Sequence, residues 1–420
     1  MAEERKENIY IIGAGVSGLI AAQVLEKAGF LPIILEQTDS VGGRVKTDMV
    51  DGYQLDHGFQ VLLDAYPMAK KYLNYDELEL QPFLPGALIF QNSKSFKIGD
   101  PLRNFSFLFP TLFASVGSIS DKFKILGLNN KLKKKTVEEI FQGPETTTLE
   151  YLRGFGFSDK IINSFFKPFF SGIFLEPDLQ TSSRMFEFVY KMFGEGMAVL
   201  PKKGIVAIPE QLKSQLSKTH IRFNTRVKEV KNDEIVLESG ESLSSDFTII
   251  ATDADTLIPQ MVSNLEWKGC DNLYFKVPRR SFGEPIIALN ANKDALVNNI
   301  FYSTSVGTGS KGEDELLSVT VVKDHDLNPE QLVEEVQKEL EKDFGISGST
   351  FLKHYAIPKA LPNIADLGYE QPASETIILS KVAIAGDQQL NGSLNAAMKA
   401  GETAVHAAID VLSGNTYLNN

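Results

Sequence analysis

The feature that most constrains the fold is a glycine-rich turn near the start of the chain. Residues 8–12 form a short run with β-branched side chains, and this run leads directly into Gly13-Ala14-Gly15-Val16-Ser17-Gly18. Apolar residues then recur at helical spacing up to Gly29, and a second apolar run, residues 31–35, ends at Glu36. The pattern predicts a strand, a tight turn, a helix and a second strand.

Each part of this unit has a mechanical reason if the turn binds a dinucleotide. Gly13 allows the sharp turn, Gly15 lets the backbone approach a pyrophosphate, and Gly18 lets the helix pack against the strand. The amides of Ala14, Val16 and Ser17 then lie at the helix start, where they favour phosphate charge. Glu36 follows Gly18 by 18 residues, near the spacing at which a carboxylate accepts ribose hydroxyls, and its charge disfavours a 2′-phosphate. We predict a Rossmann-type dinucleotide site, with a purely structural glycine turn as the alternative.

A second stretch with the same glycine spacing, residues 307–312, does not predict another site. The residues that follow it, 316–322, alternate and are β-branched, so they indicate a strand instead of the helix that the motif requires. We expect a hairpin loop there.

Composition removes several function classes. The net charge is −12, which disfavours nucleic acid and anionic surfaces as partners. Cys270 is the single cysteine and the five histidines are scattered, so no disulfide, metal site or His-rich cluster is expected. The first residues lack the regions of a signal peptide, which favours a cytoplasmic protein. The nearest membrane candidate is residues 102–128, which we interpret as buried helices, with a membrane-surface helix as the alternative.

The residues after Glu36 carry a family resemblance. Gln37 is followed by a short spacer and by Gly42, Gly43 and Arg44, a turn that can present an arginine to a phosphate. In this pattern the chain resembles the FAD-dependent amine oxidase superfamily, which includes monoamine oxidases, protoporphyrinogen oxidases and phytoene desaturases. The resemblance implies that FAD is the cofactor and that these residues contact it.

Two further stretches resemble the same family. A short strand at 382–385 ends in Gly386-Asp387, and residues 391–393 precede a long helix. The resemblance implies that Gly386 and Asp387 contact the ribityl and pyrophosphate part of FAD, and that Ser393 and Leu394 lie at the flavin pyrimidine. In the middle of the chain, residues 220–224, 227–230, 235–237 and 247–251 indicate consecutive strands. There the resemblance places Val227 beside the adenine, and Ala251 and Thr252 against the cofactor.

These stretches predict an α/β chain in which a Rossmann-type FAD-binding domain is interleaved with an α+β substrate domain. We assign residues 1–66, 195–264 and 355–420 to the first domain, and residues 67–194 and 265–354 to the second. Residues 67–194 are expected to be mostly helical after a hairpin near Asn92. A helix is expected from Pro329 to Asp343.

In a flavoenzyme the cofactor performs the electron transfer, so few catalytic side chains are needed. The loop with Gly58 and Phe59 corresponds to one that passes the flavin in the resembled family. His57 and Gln60 in that loop are weak catalytic candidates, and a merely hydrogen-bonded His57 is the alternative. Two departures disfavour an amine substrate. Ser393 stands where many amine oxidases have an aromatic residue, and Lys276 matches only loosely the lysine that holds a water near the flavin.

We therefore predict an FAD-dependent oxidoreductase that oxidises a C–N or C–C bond of a small organic molecule by hydride transfer. No cysteine lies near the C-terminal flavin segment, so the FAD is expected to be noncovalent. The electron acceptor would be dioxygen, a quinone or another organic molecule. The alternatives are an FAD-dependent isomerase or desaturase acting on an apolar polyene or ring, and a flavin-binding protein without catalysis. The sequence leaves the substrate and the oligomeric state open.

Overall fold

The protein is described by a computed structural model that covers residues 7–99, 117–259, 261 and 265–414. Residues 102–116 of the predicted membrane candidate lie outside the described residues. The helices within the described ranges are α1 (Val16–Lys27), α2 (Pro67–Tyr72), α3 (Tyr75–Leu78), α4 (Ile119–Lys133), α5 (Val137–Phe141), α6 (Thr148–Gly154), α7 (Asp159–Ile161), α8 (Lys167–Phe174), α9 (Ser183–Glu195), α10 (Ala207–Ser214), α11 (Pro329–Phe344) and α12 (Leu394–Leu412). A π-helical turn, Ile162–Phe166, connects α7 to α8.

The strands form five sheets. They are β1 (Ile9–Ile12), β2 (Ile33–Leu35), β3 (Thr47–Val50), β4 (Tyr53–Asp56), β5 (Leu62–Leu63), β6 (Gln81–Pro82), β7 (Gly86–Gln91), β8 (Lys94–Gly99), β9 (Ala198–Leu200), β10 (His220–Arg222), β11 (Val227–Val230), β12 (Glu234–Leu237), β13 (Ser242–Ser244), β14 (Phe247–Ile250), β15 (Glu266–Val277), β16 (Ile287–Asn290), β17 (Val297–Tyr302), β18 (Glu315–Val321), β19 (Thr350–Asn363), β20 (Ile377–Leu379) and β21 (Val382–Ile384).

A six-stranded sheet with the order β10-β2-β1-β14-β21-β20 joins three distant parts of the chain. Its strands are parallel except for β20, and Ile11 lies between Ile34 of β2 and Ile249 of β14. Helices α1 and α12 cover one face. The opposite face packs against the antiparallel sheet β11-β12-β13, where Ile235 and Leu237 are buried. Parallel strands covered on both faces are expected to be buried along their whole length, as β1 and β14 are.

A seven-stranded mixed sheet with the order β19-β15-β18-β17-β16-β7-β8 forms the second large layer. Helix α11 covers one of its faces through Leu332, Val336 and Leu340. Strand β19 continues in this sheet to Asn363, beyond residue 354, where the sequence pattern places a domain boundary. The small sheet β5-β9-β6 contributes to the largest buried cluster, whereas the hairpin β3-β4 packs Tyr53 and Leu55 against strands β15 and β18 of the seven-stranded sheet.

The predicted α/β class and its main elements are confirmed. The residues after the second glycine motif form strand β18, as expected, and the predicted helix from Pro329 extends to Phe344. The hairpin near Asn92 is β7-β8. Strand β13 was not predicted, because its sequence is polar and short.

Helix α4 departs in part from the buried interpretation of residues 102–128. Leu128 is buried, but Ile119, Phe123 and Leu126 are exposed. Within the described ranges, every helix is too short or too polar to cross a bilayer.

Candidate functional site

The glycine turn, residues 13–18, lies between the end of β1 and the first turn of α1. Gly13 has a φ of 101° and donates its N–H to the Leu35 carbonyl over 2.9 Å, which closes the turn against β2. A side chain at Gly18 would put its Cβ 2.0 Å from the Gly13 carbonyl oxygen, so the helix can pack this closely only with glycine. No heavy atom lies within 4 Å of the position that a Gly15 Cβ would take. The turn therefore has a tight side and an open side.

Glu36, the residue after β2, links the end of that strand to the glycine turn by hydrogen bonding. Its carboxylate is 6% exposed and accepts the Ala14 N–H over 2.7 Å through Oε2. Its Oε1 accepts the N–H and the hydroxyl of Thr38. Gln37 is exposed beside it and accepts from Arg226 Nε over 3.1 Å. The acidic residue and the first amides of the turn are thus adjacent, as the predicted spacing requires.

The Gly42-Gly43-Arg44 turn lies against the open side of the glycine turn. Gly42 donates its N–H to the Ala14 carbonyl over 2.9 Å, and a Gly43 Cβ would lie 3.5 Å from the Gly15 Cα. Both glycines have positive φ, of 117° and 60°. The backbone therefore turns at two consecutive residues without side chains, Gly42 and Gly43, just before the cationic Arg44.

Arg44 connects the N-terminal turns to the C-terminal part of the chain. Its guanidinium forms an ion pair with Asp387, which is 4% exposed, and donates to the Ala360 carbonyl over 3.1 Å. Its Cζ lies 5.2 Å from the centre of the Trp267 ring. The Arg44 side chain is 43% exposed, but these contacts hold its guanidinium in a fixed position.

The start of α12 packs against α1. Ser17 Oγ donates to the Ala397 carbonyl over 2.6 Å, and a Gly401 Cβ would lie 2.4 Å from the Ser17 carbonyl oxygen. Ser393 caps α12 by accepting the Ala396 N–H, and its own hydroxyl donates to Asn391 Oδ1 over 2.6 Å. Gly386 has a φ of 137° before Asp387, and Leu394 is half-buried at the first helical position. Residues about 380 positions apart in the chain, such as Ser17 and Ala397, thus form one surface.

Residues from the middle of the chain contact both Glu36 and the glycine turn. Thr225 donates its N–H to the Glu36 carbonyl over 2.8 Å, which positions the buried Val227 at the start of β11. Ala251 donates its N–H to the Ile12 carbonyl over 2.9 Å, and it lies with Thr252 beside Gly13. The structure therefore brings the three predicted stretches together.

The loop after β4 carries His57, Gly58, Phe59 and Gln60. Gln60 Nε2 donates to the carbonyl of Arg44 over 3.0 Å, which ties this loop to the Gly-Gly-Arg turn. His57 Nε2 lies 3.0 Å from Asp48 Oδ2, and its ring centroid lies 4.3 Å from that of Tyr355. Phe59 packs against Phe301 at 4.6 Å between ring centroids. The His57 ring thus lies between Asp48 and Tyr355.

Two carboxylates under this loop have perturbed pKa values. Burial raises the pKa of Asp56 to about 6, although its carboxylate accepts from Thr47 Oγ1 and from the Ile205 N–H. For Asp48, burial acts to raise the pKa, but hydrogen bonds from Tyr355 and His57 outweigh it and hold the pKa below its usual value. The two neighbouring carboxylates are shifted in opposite directions because only one is deeply buried.

The two lysines of β15 lie at opposite ends of the strand. Lys276 Nζ lies 3.4 Å from Asp51 Oδ2, at the tip of the β3-β4 hairpin. Lys268, which the sequence did not single out, pairs across the sheet with Leu361, and Leu361 in turn lies against Gly392, just before Ser393. Lys268 Nζ donates to Thr181 Oγ1 over 3.1 Å, and burial lowers its pKa, an effect that nearby Glu176 opposes. The pairing register, which a sequence does not reveal, is what brings Lys268 near the start of α12.

Comparisons with known proteins agree with this geometry. Residues 16–409 match the family described as flavin containing amine oxidoreductase. A 15-cis-phytoene desaturase of Capsicum annuum is 26% identical over 328 residues, which cover 69% of this chain and 53% of that protein. The chain spans about half the length of the curated relatives it matches first.

Solved structures share the fold. An oxidoreductase from Methanosarcina mazei superimposes with a TM-score of 0.72 at 17% identity, covering 95% of this chain and 100% of that one. Cyclohexylamine oxidase from Brevibacterium oxydans superimposes with a TM-score of 0.66 at 15% identity, covering 97% and 100%. At these identities the likeness extends to the fold alone.

Proposed function

The chain belongs to the flavin-containing amine oxidoreductase family, and from this premise we propose that it is an oxidoreductase that binds FAD noncovalently and oxidises a small organic substrate. The observation that carries the proposal is the meeting of the glycine turn, the Gly-Gly-Arg turn and the start of α12 around the open side of Gly15. Backbone without side chains, a helix N-terminus and an arginine are the groups that a pyrophosphate requires.

The residues around this space fit a dinucleotide along its whole length. We assign Glu36 and Gln37 to the ribose, and Val227, Ala251 and Thr252 to the adenosine side. The pyrophosphate would contact Gly13, Ala14, Gly15, Val16, Ser17 and Gly18 together with Gly42, Gly43 and Arg44. The flavin half would be held by Gly386, Asp387, Ser393 and Leu394, and its ring would lie beside Gly58 and Phe59. When bound, the flavin would supply the hydride acceptor.

For the substrate we propose an apolar molecule that loses hydrogen across a C–C bond. The Ser393 hydroxyl is engaged in capping α12 and in bonding Asn391, so an amine would find neither an aromatic wall nor a free hydroxyl there. Phe59, Phe83 and Phe301 form an aromatic cluster beside Gly58. The relatives named 15-cis-phytoene desaturase support this choice over C–N oxidation. One hydrogen would leave as hydride and its neighbour as a proton, with dioxygen or a quinone as the final electron acceptor.

We further propose a division into two interleaved domains that follows the sheets. The cofactor domain would comprise residues 1–66, 195–264 and 364–420, and the substrate domain residues 67–194 and 265–363. The last boundary moves from 354 to 363 because β19 stays in the seven-stranded sheet up to Asn363.

Purified protein tests these proposals in two steps. Denaturation should release FAD, identified by absorbance and mass, and leave none on the polypeptide. The flavin should then bleach under anaerobic conditions with a polyene, whereas a panel of amines and porphyrinogens should leave it oxidised. Bleaching by an amine alone would overturn the substrate proposal. A chain that neither retains nor takes up FAD would overturn the cofactor proposal, and FAD that no compound reduces would indicate a binding protein without catalysis.

A further inference from the structure

Helix α4 presents an apolar face to solvent. Ile119 is 74% exposed, Phe123 69% and Leu126 43%, and their spacing of four and three residues puts them on one side of the helix. Leu128 and Leu132 are buried on the opposite side. Elsewhere in the described ranges, the exposed large apolar side chains are the separate Met49 and Phe351. Three exposed apolar side chains on one helix form the kind of patch that marks an interaction surface.

The charge around this face is opposite to that of the whole chain. Residues 119–135 contain six lysines and one aspartate, whereas the chain carries −12. The aspartate, Asp121, is buried and accepts hydrogen bonds from Ser118 and Ser158, so it does not present its charge to solvent. Lys131 and Lys135 pair with Glu187.

The exposed lysines continue the apolar face along the helix. Lys133 and Lys134 lie 14 and 15 residues after Ile119, which is close to four helical turns, and both are exposed. The next acidic residues, Glu138 and Glu139, belong to α5, and the Glu139 carboxylate accepts the Thr136 N–H in a capping box. The face therefore runs from three apolar side chains to a cationic end. We call Ile119, Phe123, Leu126, Lys133 and Lys134 the α4 stripe.

We propose that the α4 stripe docks on a bilayer surface that contains anionic phospholipids. Its apolar side chains would enter the interface between headgroups and acyl chains, and its lysines would pair with the headgroups. A stable protein–protein interface buries roughly 1,200–2,000 Å², more than one helical stripe provides, whereas an interfacial helix needs only its own apolar face. The docking of the α4 stripe does not depend on which substrate is oxidised.

Vesicle binding by the FAD-loaded full chain tests the proposal. The protein should sediment with vesicles of equal parts phosphatidylcholine and phosphatidylglycerol, but not with phosphatidylcholine alone, and added salt should release it. Phe123→Ser should lower the partition coefficient by about tenfold or more, since a buried phenylalanine side chain contributes to that extent. Lys133→Glu with Lys134→Glu should lower it by more than about tenfold, at about fivefold for each lost lysine.

Matched variants separate this site from general hydrophobicity and charge. Met49→Ser removes an apolar side chain that is 64% exposed elsewhere, and Lys94→Glu with Lys342→Glu makes the same charge change at other exposed lysines. Both should bind vesicles as the unchanged protein does. Equal losses in these controls, or no binding by the unchanged protein, would overturn the proposal.

A fluorescent label tests whether the face is covered by protein instead. Phe123→Cys in a Cys270→Ser background allows one environment-sensitive dye to be attached at position 123. Its emission should shift to the blue only when phosphatidylglycerol vesicles are added. If the dye is already blue-shifted and shielded from a soluble quencher without lipid, the chain or a second copy covers the face and the proposal is wrong.

Discussion

At the scale of single residues, Gly15 and Gly18 make opposite demands on one turn. A Cβ at Gly18 would collide with the Gly13 carbonyl, whereas a Cβ at Gly15 would meet nothing within 4 Å, and the Gly15 φ of −71° suits any residue. Gly18 is therefore required by the fold itself, and Gly15 is required only by something that occupies the space beside it. The two glycines thus distinguish a requirement for folding from a requirement for binding.

Gly15→Val should leave the fold intact and weaken FAD binding. The valine side chain would enter the space assigned to the pyrophosphate, so we expect the dissociation constant to rise by roughly a hundredfold or more, the equivalent of about 2.7 kcal/mol. Flavin fluorescence titration measures this change, and thermal unfolding of the cofactor-free protein should be unaltered. Gly18→Val is the matched change and should lower the unfolding temperature. Full FAD occupancy in Gly15→Val would contradict the assignment.

Lys268 is the lysine that we expect to affect the reaction. It is held near the start of α12 with a pKa that burial lowers, while Lys276 pairs with Asp51 at the far end of β15. Lys268→Met should slow anaerobic flavin reduction by roughly tenfold or more, as loss of a group that handles protons does, without changing the FAD content. Lys276→Met provides the control and should reduce its flavin at the unchanged rate. The reverse result would return the role to Lys276.

Asp56 should make stability depend on pH. Its pKa in the folded protein is about 6, above the ordinary value of 3.8, because burial disfavours the charged form. The stabilisation is therefore complete below pH 3.8 and is lost as the pH rises through about 6, by up to about 3 kcal/mol. The Asp56→Asn variant has no carboxyl group at this position, so it should not show this loss. Its free energy of unfolding should therefore rise relative to that of the unchanged protein between about pH 4 and pH 7. Urea denaturation across this range measures both.

Asp121→Asn provides the control with the opposite sign. Burial acts to raise the pKa of Asp121, but hydrogen bonds from Ser158 and Ser118 outweigh it and lower the pKa to about 2. Its stabilisation is present above the ordinary value and is lost only as the pH falls toward 2. Asp121→Asn should thus be less stable by a constant amount from about pH 5 to pH 7. A slope in this control like that of Asp56→Asn would show that the pH effect is general.

At the scale of elements, local patterns predicted what local physics decides. The strand, turn and helix at the start of the chain and the capped helix α12 carry their signals within a few residues, and the structure has both. Strand β15 shows the limit, because only its last part, residues 273–277, has the apolar side chains that indicate a strand. The first half, from Glu266 to Asn272, is a strand because β19 pairs along it and β18 joins from Asp271 onward. Lys268 lies in that half, which is why the sequence did not identify it.

The packing of α1 on α12 should depend on a small residue at Gly401. A Cβ at this position would lie 2.4 Å from the Ser17 carbonyl oxygen, so Gly401→Ala must push the two helices apart. We expect a loss of about 1–3 kcal/mol in the free energy of unfolding, as for other overpacked sites, together with weaker FAD retention. Gly194→Ala in α9 meets nothing within 4 Å and should be neutral or stabilising. Urea denaturation compares them, and equal effects would rule out the close contact as the cause.

At the scale of the whole molecule, the sequence indicated an interleaved chain but not how its parts meet. The six-stranded sheet combines β1 and β2 with β14 and β21, as the three separated stretches predicted. The small sheet β5-β9-β6 was not predicted, because it joins segments of two or three residues that are more than 100 positions apart. Such pairings are decided by the assembled core and leave no periodic signal in the sequence. The position of the seven-stranded sheet relative to the glycine turns likewise emerges only in the structure.

Trp267 reports on that junction. It is the single tryptophan of the chain, it lies on β15 of the seven-stranded sheet, and Arg44 of the Gly-Gly-Arg turn stacks 5.2 Å from its ring centre. If FAD binds where the two sheets meet, titration of FAD into the cofactor-free protein should quench tryptophan emission and saturate at one equivalent. Trp267→Phe should abolish this signal while flavin fluorescence still reports binding. Binding without any change in Trp267 emission would place the cofactor away from the junction, and the site assembled around Gly15 and Arg44 would then be wrong.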